Sequence, residues 1–189
     1  MWRLKLLESL HLNCSDCELH TNRYKLVFGE GTHTSDIVWV VEAPGRNENI
    51  QGIPLVGNAG QLLRKFMIDA HLESISYITN IVKCWPGMTN PNPSQSCVDI
   101  CRPMLIKQLD IIKPKVIVAV GKVALSWFLR KSPKEITITP YIDKTITYKN
   151  IPVYVIYHPN YIARNRTNRI IFTNYWKSFK QIRSLAKGK

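Results

Sequence analysis

The chain has 189 residues, 45% of them hydrophobic, enough to bury one sizeable core, so a single domain over 1–189 is expected. Lys and Arg number 26 against 13 acidic residues, a formal charge of +13 at pH 7, which points to a polyanionic partner, nucleic acid first. No apolar run reaches the length that crosses a bilayer, so no membrane partner is expected.

The first segment, Met1 to Glu8, carries a glutamate where a secretory signal would have its apolar stretch, so an intracellular, reducing location is expected. Five cysteines in that setting favour metal ligation with one to spare over a disulfide framework. Cys14 and Cys17 form a Cys-x-x-Cys pair able to grip one face of a soft metal centre, and two more thiolates brought in by the fold complete a four-sulfur site. Cys84 and Cys101 are the candidate partners, with Cys97, one helical turn before Cys101, competing for the fourth place. The spacing suits a zinc ion and an iron–sulfur cluster alike.

Asp36 to Val41 is a short β-branched run, as a buried parallel strand should be. It ends in Glu42-Ala43-Pro44-Gly45, a turn that exposes backbone amides and presents carboxylates at the sheet edge, with Glu48 close behind. Gly52, Gly57 and Gly60 around Pro54 predict a loop that a ligand approaches closely, leading into a helix over Gly60–His71. Their spacing matches neither the phosphate-loop nor the dinucleotide pattern, so no nucleotide cofactor is expected. A second strand over Tyr77–Val82 carries Asn80 and leads to Cys84.

A helix over Ser94–Ile112, a strand over Lys115–Gly121 and a helix over Lys122–Leu129 follow. Residues 131–150, rich in Thr, Ile and Lys, read as a hairpin or an irregular excursion. A last strand over Val153–Tyr157 delivers His158-Pro159, then Tyr161, Arg164, Arg166 and Arg169, a phosphate-gripping segment with a stacking or wedge residue. A helix over Asn168–Lys187 closes the chain, with Arg169, Lys177, Lys180, Arg183 and Lys187 on its polar face. Such alternation predicts an α/β fold with a mainly parallel sheet covered on both faces, its ligand site beyond the C-terminal strand ends.

Six ordered stretches carry a resemblance: Cys14-x-x-Cys17-x-Leu19-His20, Glu42-Ala-Pro-Gly45, Gly52-x-Pro54-x-Val56-Gly57-x-Ala59-Gly60-Gln61-Leu62-Leu63, Tyr77-Ile-Thr-Asn80-Ile-Val-Lys-Cys84, Cys101-Arg-Pro103 and His158-Pro-x-Tyr161-x-x-Arg-Asn165. From about Cys14 to Asn165 the chain resembles the family 4 uracil-DNA glycosylases, the iron–sulfur branch of the uracil-DNA glycosylase superfamily. The resemblance implies a three-layer α/β/α sandwich around a central four-stranded parallel sheet. It implies a [4Fe-4S] cluster on Cys14, Cys17, Cys84 and Cys101, the last chosen over Cys97 by its Cys-Arg-Pro context, with zinc as the alternative.

The implied reaction is base excision repair chemistry, hydrolysis of the bond between uracil and deoxyribose after the nucleotide is flipped out of uracil-containing DNA. His158 would donate to uracil O2, Asn80 would read the pyrimidine edge, and the backbone near Glu42 and Ala43 would line the pocket. Glu48, with Glu42 as the weaker candidate, would position or activate water. The chain departs from the family at Val41, where glycine is usual, at Asn49, where aspartate is usual, and at Leu55, where a phenylalanine stacks on uracil. Losing that aromatic platform removes stacking worth ~1–3 kcal/mol. The three departures define an alternative, a catalytically weak or inactive relative acting as a DNA-binding scaffold. A monomer is expected, with a replication or repair protein as a further partner.

Overall fold

The computed structural model describes residues 2–88 and 92–188. Strands β1 (Ile37–Val41), β2 (Ser76–Asn80), β3 (Val116–Val120), β4 (Thr145–Tyr148) and β5 (Ile151–Ile156) form one sheet in the order β2-β1-β3-β5-β4. The first four in that order pair in parallel, as expected. The sheet has five strands rather than four, because residues 131–150 supply β4 as an antiparallel edge strand on β5. Lys149 and Asn150 join the two with φ of 46° and 66°, the paired left-handed conformation of a tight hairpin turn whose twist matches that of the strands.

Helices α1 (Trp2–Ser9), α2 (Arg46–Gln51), α3 (Asn58–Asp69), α4 (Gln95–Ile112), α5 (Lys122–Leu129), α6 (Pro159–Arg164) and α7 (Arg169–Ala186) complete the described chain. Four of them match the sequence reading to within two residues at each end; α1, α2 and α6 escape it, being short and weakly periodic.

Alternation along each strand builds the layers. Val38, Val40, Ile117, Ala119, Val153 and Val155 face a core closed by α1, α4 and α5. Ile37, Trp39, Val116, Val118, Tyr154 and Ile156 face a second core closed by α3, α6 and α7. Phe66 of α3 packs its ring against Tyr175 at 5.1 Å and Phe179 at 5.2 Å, which locks the helix that follows the glycine loop onto the C-terminal helix. The three-layer α/β/α arrangement is therefore as expected.

The strand order reverses between β1 and β3, so neighbouring connections leave in opposite directions there and open a crevice beyond their C-terminal ends. Among the described residues no helix is long and apolar enough to cross a membrane.

Candidate active site and a four-cysteine site

A cavity of about 500 Å³ occupies that crevice. β1 delivers Glu42 and Ala43 to it, β2 delivers Asn80, and β5 delivers His158 two residues past its end. Leu55 and Glu48 also line it, so the sequence-predicted catalytic and base-binding residues are brought together in one space. Asn80 is 2% exposed, and its Nδ2 has no hydrogen-bond partner among the described residues; the same holds for Oε1 of Glu42. Unpaired buried donors and acceptors cost free energy until a bound molecule or water completes them. Burial pushes the Glu42 carboxyl up to about 7, so it titrates near neutrality.

His158 caps α6 with its side chain: Nδ1 accepts the Asn160 backbone N–H at 3.2 Å. Burial pushes the imidazole down to about 4, so it is neutral at physiological pH. With Nδ1 accepting, the single proton of the neutral ring is assigned to Nε2, which leaves that nitrogen as a donor. Gly121 at the end of β3 has φ of +88°, and a Cβ there would lie 3.0 Å from His158 Cβ. Glycine at this strand end is what allows the histidine its place.

Glu48, 9% exposed, commits Oε1 to the backbone N–H groups of Val56 at 2.9 Å and Gly57 at 2.8 Å. Oε2 makes no hydrogen bond among the described residues and packs against Gly45, where a Cβ would come within 2.6 Å of it. The glycine loop predicted to be approached by a ligand lines the cavity with Leu55, Gly57 and Gly60, while two of its amides serve this carboxylate. Leu55 follows with φ of +57°, a strained conformation for a branched side chain. Arg64 holds it there, donating from Nε to Leu55 O at 3.1 Å and from Nη2 to Pro54 O at 2.8 Å while pairing with Glu30. Gly60 backs onto the same residue, since a Cβ would meet Leu55 Cα at 2.4 Å.

Two departures from the family pattern find physical reasons. Asn49 donates from Nδ2 to Asn22 O at 3.0 Å and accepts the Tyr24 N–H on Oδ1 at 2.8 Å. An aspartate carboxylate has no proton for Asn22, so the amide suits this contact. Val41 is buried in the α3-side core and needs no glycine conformation. Sequence reasoning missed Trp85, an aromatic residue that lines the cavity; its place directly after Cys84 at the exit of β2 was the available signal. Tyr161, Arg164, Arg166 and Arg169 are exposed and lie outside the cavity lining, with Tyr161 stacked on Tyr157 at 4.5 Å.

A second, smaller cavity of about 140 Å³ is lined by Cys14, Cys17, Cys84 and Cys101, all free thiols. Cys97 is absent from that lining and turns its sulfur to Glu18 Oε1 at 3.4 Å. Burial first, and nearby thiolates after it, push the Cys17, Cys84 and Cys101 thiols up, while the Arg23 guanidinium, 3.5 Å from Cys84 Sγ, opposes this. A cationic group in their midst would reverse the balance and draw the thiolates out. Among the described residues no three His, Cys, Asp or Glu side chains converge tightly enough to hold one metal ion. The four cysteines line one cavity together, a set of soft thiolates that suits a thiolate-bound metal group.

Two substitutions test this geometry. Because the folded protein holds the Glu42 proton up to about pH 7 while the unfolded chain releases it near its ordinary value of 4.5, proton binding favours the fold at low pH and that advantage is lost as pH rises through 7. Glu42→Gln is therefore expected to gain thermal stability relative to the wild type as pH goes from 5 to 8; a pH-independent difference in melting temperature contradicts the burial argument. Gly60→Ala should cost ~1–3 kcal/mol in urea unfolding, as overpacking against backbone does; an unchanged midpoint would mean that the Leu55 loop yields freely.

Comparison with known proteins agrees with the geometry. Residues 28–180 match the family model of the uracil DNA glycosylase superfamily. The chain is 39% identical to a type-4 uracil-DNA glycosylase of Thermotoga maritima over 163 residues, 83% of this chain and 81% of that protein. It is 33% identical to one of Archaeoglobus fulgidus over 184 residues, 94% of this chain and 90% of the relative. It is 36% identical to one of Sulfurisphaera tokodaii over 183 residues, 93% and 81% respectively. With the match spanning the sheet, the cavity and the helix that closes the second core, the chain belongs to the uracil-DNA glycosylase superfamily.

Proposed function

We propose that the protein is a uracil-DNA glycosylase that hydrolyses the N-glycosidic bond of a flipped-out deoxyuridine in DNA, the first step of base excision repair. One observation carries the reading: a buried carboxamide with a free donor and a neutral imidazole with a free Nε2–H line one cavity of about 500 Å³ at the sheet's switch point. A duplex hides its bases, so only an everted nucleotide could enter such a space.

Asn80 supplies the selectivity. Its Nδ2 donates to uracil O4 and its Oδ1 accepts from uracil N3–H; cytosine reverses both positions and leaves both groups facing their own kind. His158 supplies the charge stabilisation. As C1′–N1 breaks, the bonding electrons move onto uracil N1 and O2, and the Nε2–H donor meets the oxygen where that charge gathers. With Nδ1 accepting from Asn160 N–H, a neutral histidine keeps its one proton on Nε2, in keeping with burial that holds its pKa near 4. Water adds to C1′ as the sugar turns oxocarbenium-like, its proton passing to the unpaired Oε2 of Glu48. Glu42, ionising near 7, is the weaker candidate for that base. Trp85 offers an aromatic face in a cavity where Leu55 offers none.

Cys14, Cys17, Cys84 and Cys101 would hold a [4Fe-4S] cluster, which supplies a covalent staple between the N-terminal arm, the β2 exit and α4 rather than a chemical step. The exposed Tyr161, Arg164, Arg166 and Arg169 would meet the DNA backbone beside the cavity. The same reading takes residues 1–189 as one domain acting as a monomer inside the cell, where its DNA is found. Nothing in the geometry or among the relatives favours a non-catalytic scaffold.

Two measurements test this. His158→Ala should slow release of free uracil from a uracil-containing oligonucleotide by ~10²–10³-fold, the usual loss of one charge-stabilising donor; release at the wild-type rate would remove the histidine from the reaction. Protein purified without oxygen should be brown and carry close to four irons per chain. Cys101→Ala should lose that colour and Cys97→Ala should keep it; the opposite pattern would reassign the fourth ligand.

A further inference from the structure

A concavity of about 1050 Å³ runs beside the proposed base cavity and shares Glu42 and Asn92 with it. Its walls are the N-terminal half of α4, the length of α5 and the turn that follows α5. Five cations line it, Arg102, Lys122, Arg130, Lys131 and Lys134, against two acids, Asp99 and Glu42. Asp99 is taken by Arg102 at 3.5 Å, and Glu42 is pushed towards neutrality by burial. Lys122, Arg130, Lys131 and Lys134 are exposed and form no salt bridge among the described residues. Arg102 is fixed across the Trp127 ring at 4.7 Å, and the Trp127 indole N–H, in the same wall, has no partner among the described residues.

A groove that gathers unpaired cations and leads into a base-sized cavity is an electrostatic track for a polyanion. We propose that this groove holds the sugar–phosphate backbone of the DNA strand flanking the everted nucleotide, so that the strand leaves the cavity over Glu42 and Asn92 and follows α5 to Lys134. The inference rests on the glycosylase reading for the identity of the cavity, and adds a binding surface on the sheet face that α5 covers, whereas α6, which carries Tyr161, covers the other face. An eight-residue helix is ~12 Å long, at 1.5 Å per residue, room for a short run of successive phosphates. Contacts of this kind go to phosphates and carry no sequence preference.

The test is fluorescence anisotropy of the full chain with a uracil-containing single strand and its thymine counterpart, across a salt series. The triple variant Arg130→Gln, Lys131→Gln, Lys134→Gln should weaken binding of both strands equally. It should flatten the slope of log affinity against log salt by about 2, at roughly 0.7 for each phosphate of a single strand that is no longer neutralised. A control triple outside the groove lining, Lys107→Gln, Lys113→Gln, Lys115→Gln, removes the same charge and should leave the slope as it is. Equal effects from both triples, or none from the first, overturn the groove. Should the first triple lose its fold by circular dichroism, the single variants Lys131→Gln and Lys134→Gln, each expected to flatten the slope by about 0.7, carry the test. Uracil release by the wild-type protein separates the two readings. Release with a native slope in the groove triple overturns the groove alone, and no release with a flattened slope overturns the activity alone.

Discussion

A single buried carboxylate organises the site. Glu48 sits on a six-residue helix, and its Oε1 receives two backbone N–H groups from the loop that enters α3. Burying a charge without partners would be prohibitive, while charge-assisted bonds to two amides make it tenable and, in return, pin the loop. The glycines around it follow from this. Gly45 and Gly57 leave room for the carboxylate itself, and Gly60 leaves room for the Leu55 backbone. The glycine loop that lines the cavity is thus also closed tightly around an acid.

The two chemical centres share one stretch of chain. Asn80 ends β2, and Cys84 follows four residues later. Between them Lys83, 1% exposed, donates from Nζ to Thr79 Oγ1 at 2.6 Å and to the Asn80 carbonyl. Its own backbone N–H lies against the Cys101 thiol. Burial pushes this ammonium down to about 7. Asn80, which would read the base, and the strand exit that carries Cys84 are therefore braced through one lysine that also lies against Cys101. A staple at the cysteines would then steady the strand end at the cavity.

Charge completes the picture. Among the described residues the cavity lining holds one Lys or Arg, Arg46, beside Glu42, Glu48 and a neutral His158. More positive charge lies outside it, on the His158 rim beyond Tyr161 and along α5, where a polyanion would be held.

The residues alone determined the parallel sheet, its two covering layers and most of the site. β-branched runs of five to six residues have one low-cost home, a buried strand, and amphipathic stretches between them have one face to bury. Motif spacing likewise named Glu42, Glu48, Asn80, His158 and the cysteines. Tertiary structure decided what depends on contacts between distant segments. It paired β4 with β5 through a turn of two left-handed residues, brought Trp85 to the cavity, gave Asn49 its bonds to Asn22 and Tyr24, and turned Cys97 towards Glu18. It also gathered Arg102, Lys122, Arg130, Lys131 and Lys134 into one groove. Local periodicity reports which face of an element is apolar; only the packed chain reports which polar groups, far apart in sequence, end up sharing one space.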